Sequence, residues 1–239
     1  MHFLIRRGVN LHSFDESLTG LARIPIELAL PYRLDDFLAG MDRLDALAEH
    51  INDKAIAVST VHATQGRLSD VRFMSWALPT MKFAEKIGIP VVVFHPEAVR
   101  KLDKPNLQVM ALNNLKALQR LTSVTVAVET FGNSKRIITP EEMIEFGVPM
   151  VLDTSHLFQQ RIFAVIEAYS RGIVAVHLSE LRGEGKESLP HLPVETYGFA
   201  VLERLKERGW DGPVTLEYLP QYHDRLVSDR ARLEGMYGS

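Results

Sequence analysis

The chain has 239 residues, 46% of them hydrophobic and 24% charged, which is the balance of a globular protein with ample material for a core. This composition excludes disordered and collagen-like classes, and the formal net charge of −3 gives no bulk attraction to a polyanion. The absence of cysteine excludes disulfides, thiolate metal sites and cysteine nucleophiles. The segment Met1–Gly8 lacks the apolar core of a signal peptide, and no apolar run approaches the roughly 20 residues that span a bilayer. We therefore expect a cytoplasmic protein without a membrane partner.

Short apolar, β-branched runs recur along the chain, and a segment of helical period separates most of them. In chain order, the eight runs are Phe3–Asn10, Ile24–Leu30, Ala55–His62, Ile89–His95, Val124–Phe131, Pro149–His156, Ile173–Ser179 and Pro213–Leu219. Alternating strands and helices indicate a parallel sheet, and eight strands are the number that closes a (β/α)8 TIM barrel. The pattern predicts one such barrel domain over residues 1–239.

The segments between the runs predict where helices lie. Apolar residues from Leu34 to Ile51 step by three and four, which predicts one helix packed on the barrel wall. Thr139 followed by Pro140 and two glutamates predicts a helix N-cap. The segment 12–23 is too short for a full crossover helix, so we expect a shortened first crossover. The segment 182–193 is rich in glycine, proline and charge and predicts a long loop.

Polar side chains of the types that bind metals fall at the ends of six runs. They are His62, His95, Glu129, Asp153, His177 and Glu217. The carboxyl ends of all strands in a parallel barrel meet at one face, where active sites are built, so these side chains would point into one space. Carboxylates buried together lose solvation and raise one another's pKa, a cost that a divalent cation removes. The set Glu129, Asp153, His177 and Glu217 is therefore predicted to hold Mn²⁺, Zn²⁺, Co²⁺ or Mg²⁺.

Structural interpretations compete for several of these residues. A lone histidine at a strand end is usually a hydrogen-bonded structural residue, and for His62 or His95 taken singly this interpretation is favoured. Asp153 could instead cap the next helix or form a salt bridge to it. His156, three residues after Asp153, has two interpretations of about equal weight: a structural role, or a role as substrate contact, outer partner of the metal site or ligand of another ion. Glu27 lies within the second run, and a buried hydrogen-bonding role explains it at least as well as a functional role does.

Two residues lie near or within the predicted loop. Arg182 follows His177 closely enough to reach a substrate, although a solvated arginine explains it almost as well. His191 has no assigned role from its position. No P-loop, no G-x-G-x-x-G after a strand and no G-x-S-x-G elbow is present, so nucleotide-binding and serine-hydrolase functions have no support.

The motifs Val-Glu129-Thr-Phe, Leu-Asp153-Thr-Ser-His156, His177-Leu-Ser-Glu180 and Leu-Glu217-Tyr resemble those of the xylose isomerase-like barrel superfamily, over nearly the whole chain from Ile24 to Leu219. In its sugar and sugar-phosphate epimerase branch, a metal is held by the residues that match Glu129, Asp153, His177 and Glu217. The resemblance implies that Glu129 and Glu217 also form the acid/base pair that moves a proton beside a metal-bound carbonyl. It further implies substrate contacts for His156 and Arg182, although Arg182 lies one residue short of the family's spacing.

The endonuclease IV branch of the same superfamily gives the alternative function, zinc-dependent phosphodiester hydrolysis at abasic DNA. That resemblance makes His62, His95, His156 and His191 additional metal ligands, and His62 and His95 would otherwise contact substrate. Leu189 stands where that branch has an aspartate, and the chain has no basic excess for duplex binding. The sequence thus ranks a small sugar or sugar phosphate ahead of nucleic acid as the partner. A metal-binding barrel without turnover is the third hypothesis, since fold never fixes function. The sequence carries no signal for oligomeric state.

Overall fold

The computed structural model describes residues 1–21, 24–132, 135–183 and 188–238. Its β-strands are β1 His2–Gly8, β2 Ile26–Ala29, β3 Val58–His62, β4 Val91–Phe94, β5 Thr125–Glu129, β6 Met150–Asp153, β7 Ile173–Leu178, β8 Glu180–Arg182, β9 Leu189–Leu192 and β10 Pro213–Leu216. Its α-helices are α1 Phe14–Leu18, α2 Leu34–Gly40, α3 Leu44–Asp53, α4 Phe73–Lys86, α5 Lys104–Gln119, α6 Pro140–Phe146, α7 Gln159–Tyr169, α8 Thr196–Glu207 and α9 Leu226–Tyr237.

Eight parallel strands form a closed barrel in the hydrogen-bonded order β1-β10-β7-β6-β5-β4-β3-β2. Each of the eight predicted runs contains one of these strands, or most of it in the case of β1. Helices follow the strands, as the alternation of periods predicted. The predicted (β/α)8 fold class is confirmed.

The contacts divide the chain into two compact units, which we describe separately. The first unit comprises residues 1–5, 129–134 and 139–239, and its core includes Leu152, Val176, Leu178 and Leu216 from the strands and Ile166 and Leu202 from the helices, all fully buried. The second unit comprises residues 6–128 and 135–138, with Leu28, Val61, Val92, Phe94 and Leu47 fully buried. The prediction of a single domain stays a prediction.

The sequence predicted the first crossover correctly, and it predicted the segment that follows β2 incorrectly. The helix between β1 and β2, α1, has only five residues, so the shortened crossover is confirmed. The single helix predicted over Leu34–Ile51 is wrong, because a 3₁₀ turn at Met41–Arg43 separates α2 from α3. Gly40 ends α2 where its backbone packs on Leu11, so closely that a Cβ on it would lie 2.7 Å from the Leu11 Cβ. This close approach is a tertiary contact that the helical period does not reveal.

The segment after β7 was predicted as a loop, and part of it is a strand. β9 pairs in antiparallel fashion with β8, with Glu180 opposite Leu192 and Arg182 opposite Leu189. The prediction of a loop over 182–193 is therefore wrong for β9, while residues 184–187 of that segment lie outside the described part of the chain. Glu180 Oε1 accepts hydrogen bonds from the backbone N–H groups of Glu195 (2.7 Å) and Gly198 (2.8 Å), which ties β8 to the start of α8. Glycine and proline content alone did not reveal this pairing.

Helix α6 begins as predicted. The Thr139 side chain accepts from the Glu142 N–H, and the Glu142 carboxylate accepts from the Thr139 N–H, which together form a capping box. The helix ends at Gly147, whose positive φ of 65° is the left-handed conformation that glycine adopts without strain. Within the described ranges, no helix has the length and apolar character needed to cross a membrane.

Candidate metal centre

Four side chains of metal-binding type, all from residues of the first unit, come together at the ends of parallel barrel strands. Glu129 and Asp153 are the last residues of β5 and β6, His177 is the penultimate residue of β7, and Glu217 directly follows β10. The register places Asp153 beside His177 on the adjacent strand. One ligand atom from each of the four lies within 4.8 Å of the others. The predicted ligand set is thus brought into one cluster.

The cluster is buried and rich in carboxylates. His177 Nδ1 lies 3.1 Å from Glu129 Oε1 and 3.3 Å from Glu217 Oε2, so both glutamates approach the same ring nitrogen. Glu129, Asp153 and His177 are almost fully buried, whereas the Glu217 side chain keeps 19% of its surface exposed. Three carboxylates at this depth repel one another and have lost much of their hydration. A divalent cation would offset both costs.

The two carboxylate oxygens of Asp153 differ in their hydrogen bonding, and one of them is suited to bind a cation. Its Oδ1 accepts hydrogen bonds from the Ser155 N–H (2.7 Å) and hydroxyl (2.8 Å). Its Oδ2 is buried and has no hydrogen-bond donor among the described residues, although His156 Nδ1 lies 3.3 Å away. Burial raises the pKa of the Asp153 carboxyl, and the charges of Glu129 and Glu217 raise it further, against the opposing effect of His156 and His191. A buried acceptor without a donor, facing two other carboxylates, fits a divalent ion.

A second group shares Asp153 with the first. Ligand atoms of Asp153, His156 and His191 also lie within 4.8 Å of one another. The His156 ring stacks on Phe131, with centroids 4.0 Å apart and planes at 23°, and meets the His191 ring edge-on at 5.2 Å. The Ser155 hydroxyl lies 3.1 Å from His191 Nδ1. Asp153 is therefore in a position to serve either group, and the two histidines are held by their ring contacts.

His62 and His95 lie in the second unit, where each has a hydrogen-bonded structural setting. His62 Nδ1 lies 3.1 Å from the Ala63 carbonyl oxygen, and the Gln65 side-chain amide lies 2.8 Å from His95 Nδ1. The two rings meet edge-on with centroids 4.4 Å apart. These contacts agree with the structural interpretation of each histidine taken singly, and their predicted roles in substrate or metal binding stay predictions.

Arg182 and Glu27 are not among the residues of either cluster. Arg182 Nη2 lies 3.3 Å from Glu195 Oε2, and 66% of the Arg182 side chain is exposed. Glu27 is fully buried in the second unit, where it accepts a hydrogen bond from the Thr60 hydroxyl and pairs with Arg6. These contacts agree with a buried hydrogen-bonding role for Glu27. The predicted substrate contact of Arg182 gains no support from its surroundings.

The model of the xylose isomerase-like TIM barrel family matches residues 26–233 of this chain. The chain belongs to that family. The resemblance predicted from the four strand-end motifs is thus confirmed. No curated protein sequence matches the chain significantly.

Solved structures of this xylose isomerase-like barrel fold resemble the chain over nearly its full length. A D-tagatose 3-epimerase-like protein is 18% identical, with 98% of this chain and 96% of that chain covered and a TM-score of 0.72. An IolI protein with a bound zinc atom is 18% identical, with coverage of 100% and 98% and a TM-score of 0.70. Endonuclease IV from Thermus thermophilus is 17% identical, with coverage of 98% and 100% and a TM-score of 0.62. At these identities, the likeness shows the fold alone.

Two residues beside the candidate metal centre were not predicted from the sequence. Ser155 joins Asp153 to His191, and Phe131 supports the His156 ring. Both also line a cavity of about 550 Å³, whose walls include Phe158 and Arg161. Their positions one to two residues from a predicted ligand were the only available signal. The Arg161 guanidinium is held by the Glu141 carboxylate at 2.9 and 2.7 Å and by the Gly132 carbonyl oxygen.

Proposed function

We propose that this protein is a divalent metal-dependent isomerase or epimerase of a sugar or sugar phosphate. The single observation that carries the proposal is the buried cluster in which Glu129, Asp153, His177 and Glu217 offer ligand atoms within 4.8 Å of one another. The fold shared with a D-tagatose 3-epimerase-like protein supports the same class of reaction.

The four residues would hold the ion through three carboxylates and one imidazole. Such an oxygen-rich set with one nitrogen suits Mn²⁺, Zn²⁺, Co²⁺ or Mg²⁺. The zinc atom in the IolI protein shows that a protein of this fold can bind one of these metals. When bound, the ion supplies Lewis-acid polarisation of a substrate carbonyl, which makes the adjacent C–H acidic.

The two glutamates would move the proton. Glu129 Oε1 and Glu217 Oε2 lie 3.1 and 3.3 Å from the same atom, His177 Nδ1, so two carboxylates share one largely buried space. One carboxylate would take the proton from the carbon beside the carbonyl, and the other would return a proton to that carbon. His177 and Asp153 would orient the site, and the exclusion of water from this buried space would strengthen each electrostatic contact.

The test is turnover on a panel of free and phosphorylated ketoses, with metal content measured on the same samples. We expect Glu129→Gln and Glu217→Gln each to abolish turnover without loss of helical circular dichroism. Glu195→Gln is the matched control, since it removes one exposed carboxylate outside the cluster. If both cluster variants keep full activity, the acid/base assignment is wrong. If the wild-type protein binds no metal under any loading condition, the whole proposal fails.

A second candidate function is favoured by the additional Asp153, His156 and His191 group, because a site with several metals is the arrangement expected for endonuclease IV-like hydrolysis of abasic DNA. Metal stoichiometry separates the two functions. One ion per chain supports the isomerase or epimerase, and two or three zinc ions with cleavage of an abasic duplex support the nuclease. Tight metal binding without either activity would instead support a non-catalytic metal-binding barrel.

A further inference from the structure

The second unit contains a cavity of about 330 Å³ with a strongly charged lining. Arg67, Arg72 and Arg136 contribute three guanidinium groups, against the two carboxylates of Asp70 and Glu97. The formal balance of these five side chains is therefore one positive charge. The volume lies at the lower end of the range typical of small-molecule sites.

Both carboxylates are engaged by neighbouring protein groups. Glu97 accepts hydrogen bonds from the Leu68 N–H (2.9 Å), the Ser69 N–H (3.0 Å) and the Ser69 hydroxyl (2.6 Å). Asp70 accepts from the Arg72 N–H (2.8 Å) and pairs with the Arg72 guanidinium at 3.1 Å. The hydrogen bonds from Arg72 lower the pKa of the Asp70 carboxyl, so it stays ionised and orients Arg72 at neutral pH. The two carboxylates thus stabilise the residues that line the cavity, and the lining keeps its net positive charge.

The loop that carries Arg67 is fixed along its backbone. Besides the bonds to Glu97, the Asn114 side-chain amide donates to the carbonyl oxygens of Leu68 (2.7 Å) and Asp70 (3.2 Å). Within the described part of the chain, no carboxylate lies within ion-pair distance of the Arg67 guanidinium. Its charge is therefore available to a ligand on a preorganised loop, which lowers the entropic cost of binding.

Arg136 reaches the same cavity from the segment after β5. Its Nη1 donates to the Pro96 carbonyl oxygen at 2.8 Å, and its backbone forms an isolated bridge with Ala98. The Nη1 bond holds the guanidinium beside the cavity. Arginines from separate segments thus converge on one space, as in sites that bind oxyanions through several N–H forks.

We propose that this cavity binds the phosphate group of a small phosphorylated molecule. A phosphate offers several terminal oxygens and up to two negative charges, which matches several guanidinium groups better than a carboxylate with its single charge. The proposal concerns binding alone, at residues that are not among the four of the metal cluster. It does not depend on the proposed isomerase or epimerase reaction.

The experiment is isothermal titration calorimetry on EDTA-treated protein, with inorganic phosphate and ribose 5-phosphate titrated separately at constant ionic strength in chloride. We expect saturable binding of both with one site per chain. Arg67→Gln should weaken both roughly tenfold or more, because it removes charged hydrogen-bond donors. Arg67→Lys should recover part of the affinity, since it restores the charge without the planar fork.

The matched control is Arg171→Gln, which removes one charge from an exposed position that does not line the cavity. This variant should bind both ligands as the wild type does. The proposal is overturned by any of three results: no saturable phosphate binding, equal weakening in Arg67→Gln and Arg171→Gln, or acetate binding as tightly as phosphate. Binding of inorganic phosphate without ribose 5-phosphate would also overturn it, because the ligand would then not be a phosphate ester. These readouts need no turnover, so a failed proposed reaction leaves them intact.

Discussion

Replacement of Glu27 by glutamine tests whether this buried acid has the structural role that its contacts indicate. Glu27 on β2 is fully buried, accepts a hydrogen bond from the Thr60 hydroxyl at 3.0 Å and pairs with Arg6 Nε at 3.3 Å. Glutamine keeps the shape and one oxygen, so the Thr60 bond can persist. It removes the negative charge beside Arg6, whose side chain is only 18% exposed. The substitution therefore isolates the contribution of the ion pair.

The expected loss is about 3 kcal/mol in the free energy of unfolding. Loss of one partner of a buried ion pair typically costs about 3–5 kcal/mol, and the partial exposure of Arg6 places this pair at the lower end. With an m-value of about 2 kcal/mol/M, the urea midpoint should fall by about 1.5 M. The assay is urea unfolding followed by circular dichroism, with metal affinity measured by calorimetry on the folded variant.

Asp45→Asn provides the matched control, because Asp45 pairs with Lys86 at 2.9 Å on the surface and is 84% exposed. Solvent screens such a pair, so its loss should leave the urea midpoint unchanged. The reasoning is refuted if Glu27→Gln leaves the midpoint unchanged while metal binding is lost. Glu27 would then have a functional role that its hydrogen bonds do not reveal.

Three further substitutions test other parts of the structure. Thr139→Ala should cost about 1 kcal/mol in urea unfolding through loss of the capping box with Glu142, and Thr139→Ser should restore most of it; equal stability of all three proteins would argue against the cap. Metal at about 100 times its Kd should stabilise the wild type by about 2.7 kcal/mol and Asp153→Asn not at all, as measured by thermal unfolding; an equal rise in both would exclude Asp153 as a ligand. Gly66→Ala should cost about 1–3 kcal/mol in urea unfolding because the added Cβ would overlap the buried Trp76 ring, and an unchanged midpoint would show that the ring can move.

The sequence indicated the barrel because apolar residues form short continuous runs in the strands and recur every three to four residues in the helices. Continuous apolar runs such as Val91–Phe94 are what a parallel strand covered on both faces requires. The same logic located Glu129, Asp153, His177 and Glu217, since each stands where an apolar run ends. Parallel strands bring such ends to one face whatever the details of register. The composition of the four-residue cluster was therefore predictable from local sequence.

Other features depend on distances that no local pattern determines. The break between α2 and α3 lies at Gly40, which packs closely on Leu11, and the pairing of β9 with β8 requires hydrogen bonds across the segment after β7. Arg182 had the right residue type near the right strand, yet its guanidinium lies beside Glu195.

The tertiary structure alone decided how Asp153 is shared between two groups of ligands and that Phe131 stacks on His156. It also brought Arg136 to the cavity in the second unit that Arg67 and Arg72, more than 60 residues earlier, line. The local periodicity of apolar residues determines which residues face inward and where strands end, so the sequence alone predicts both. Which side chains touch depends on strand register and loop packing, which arise only when the whole chain folds.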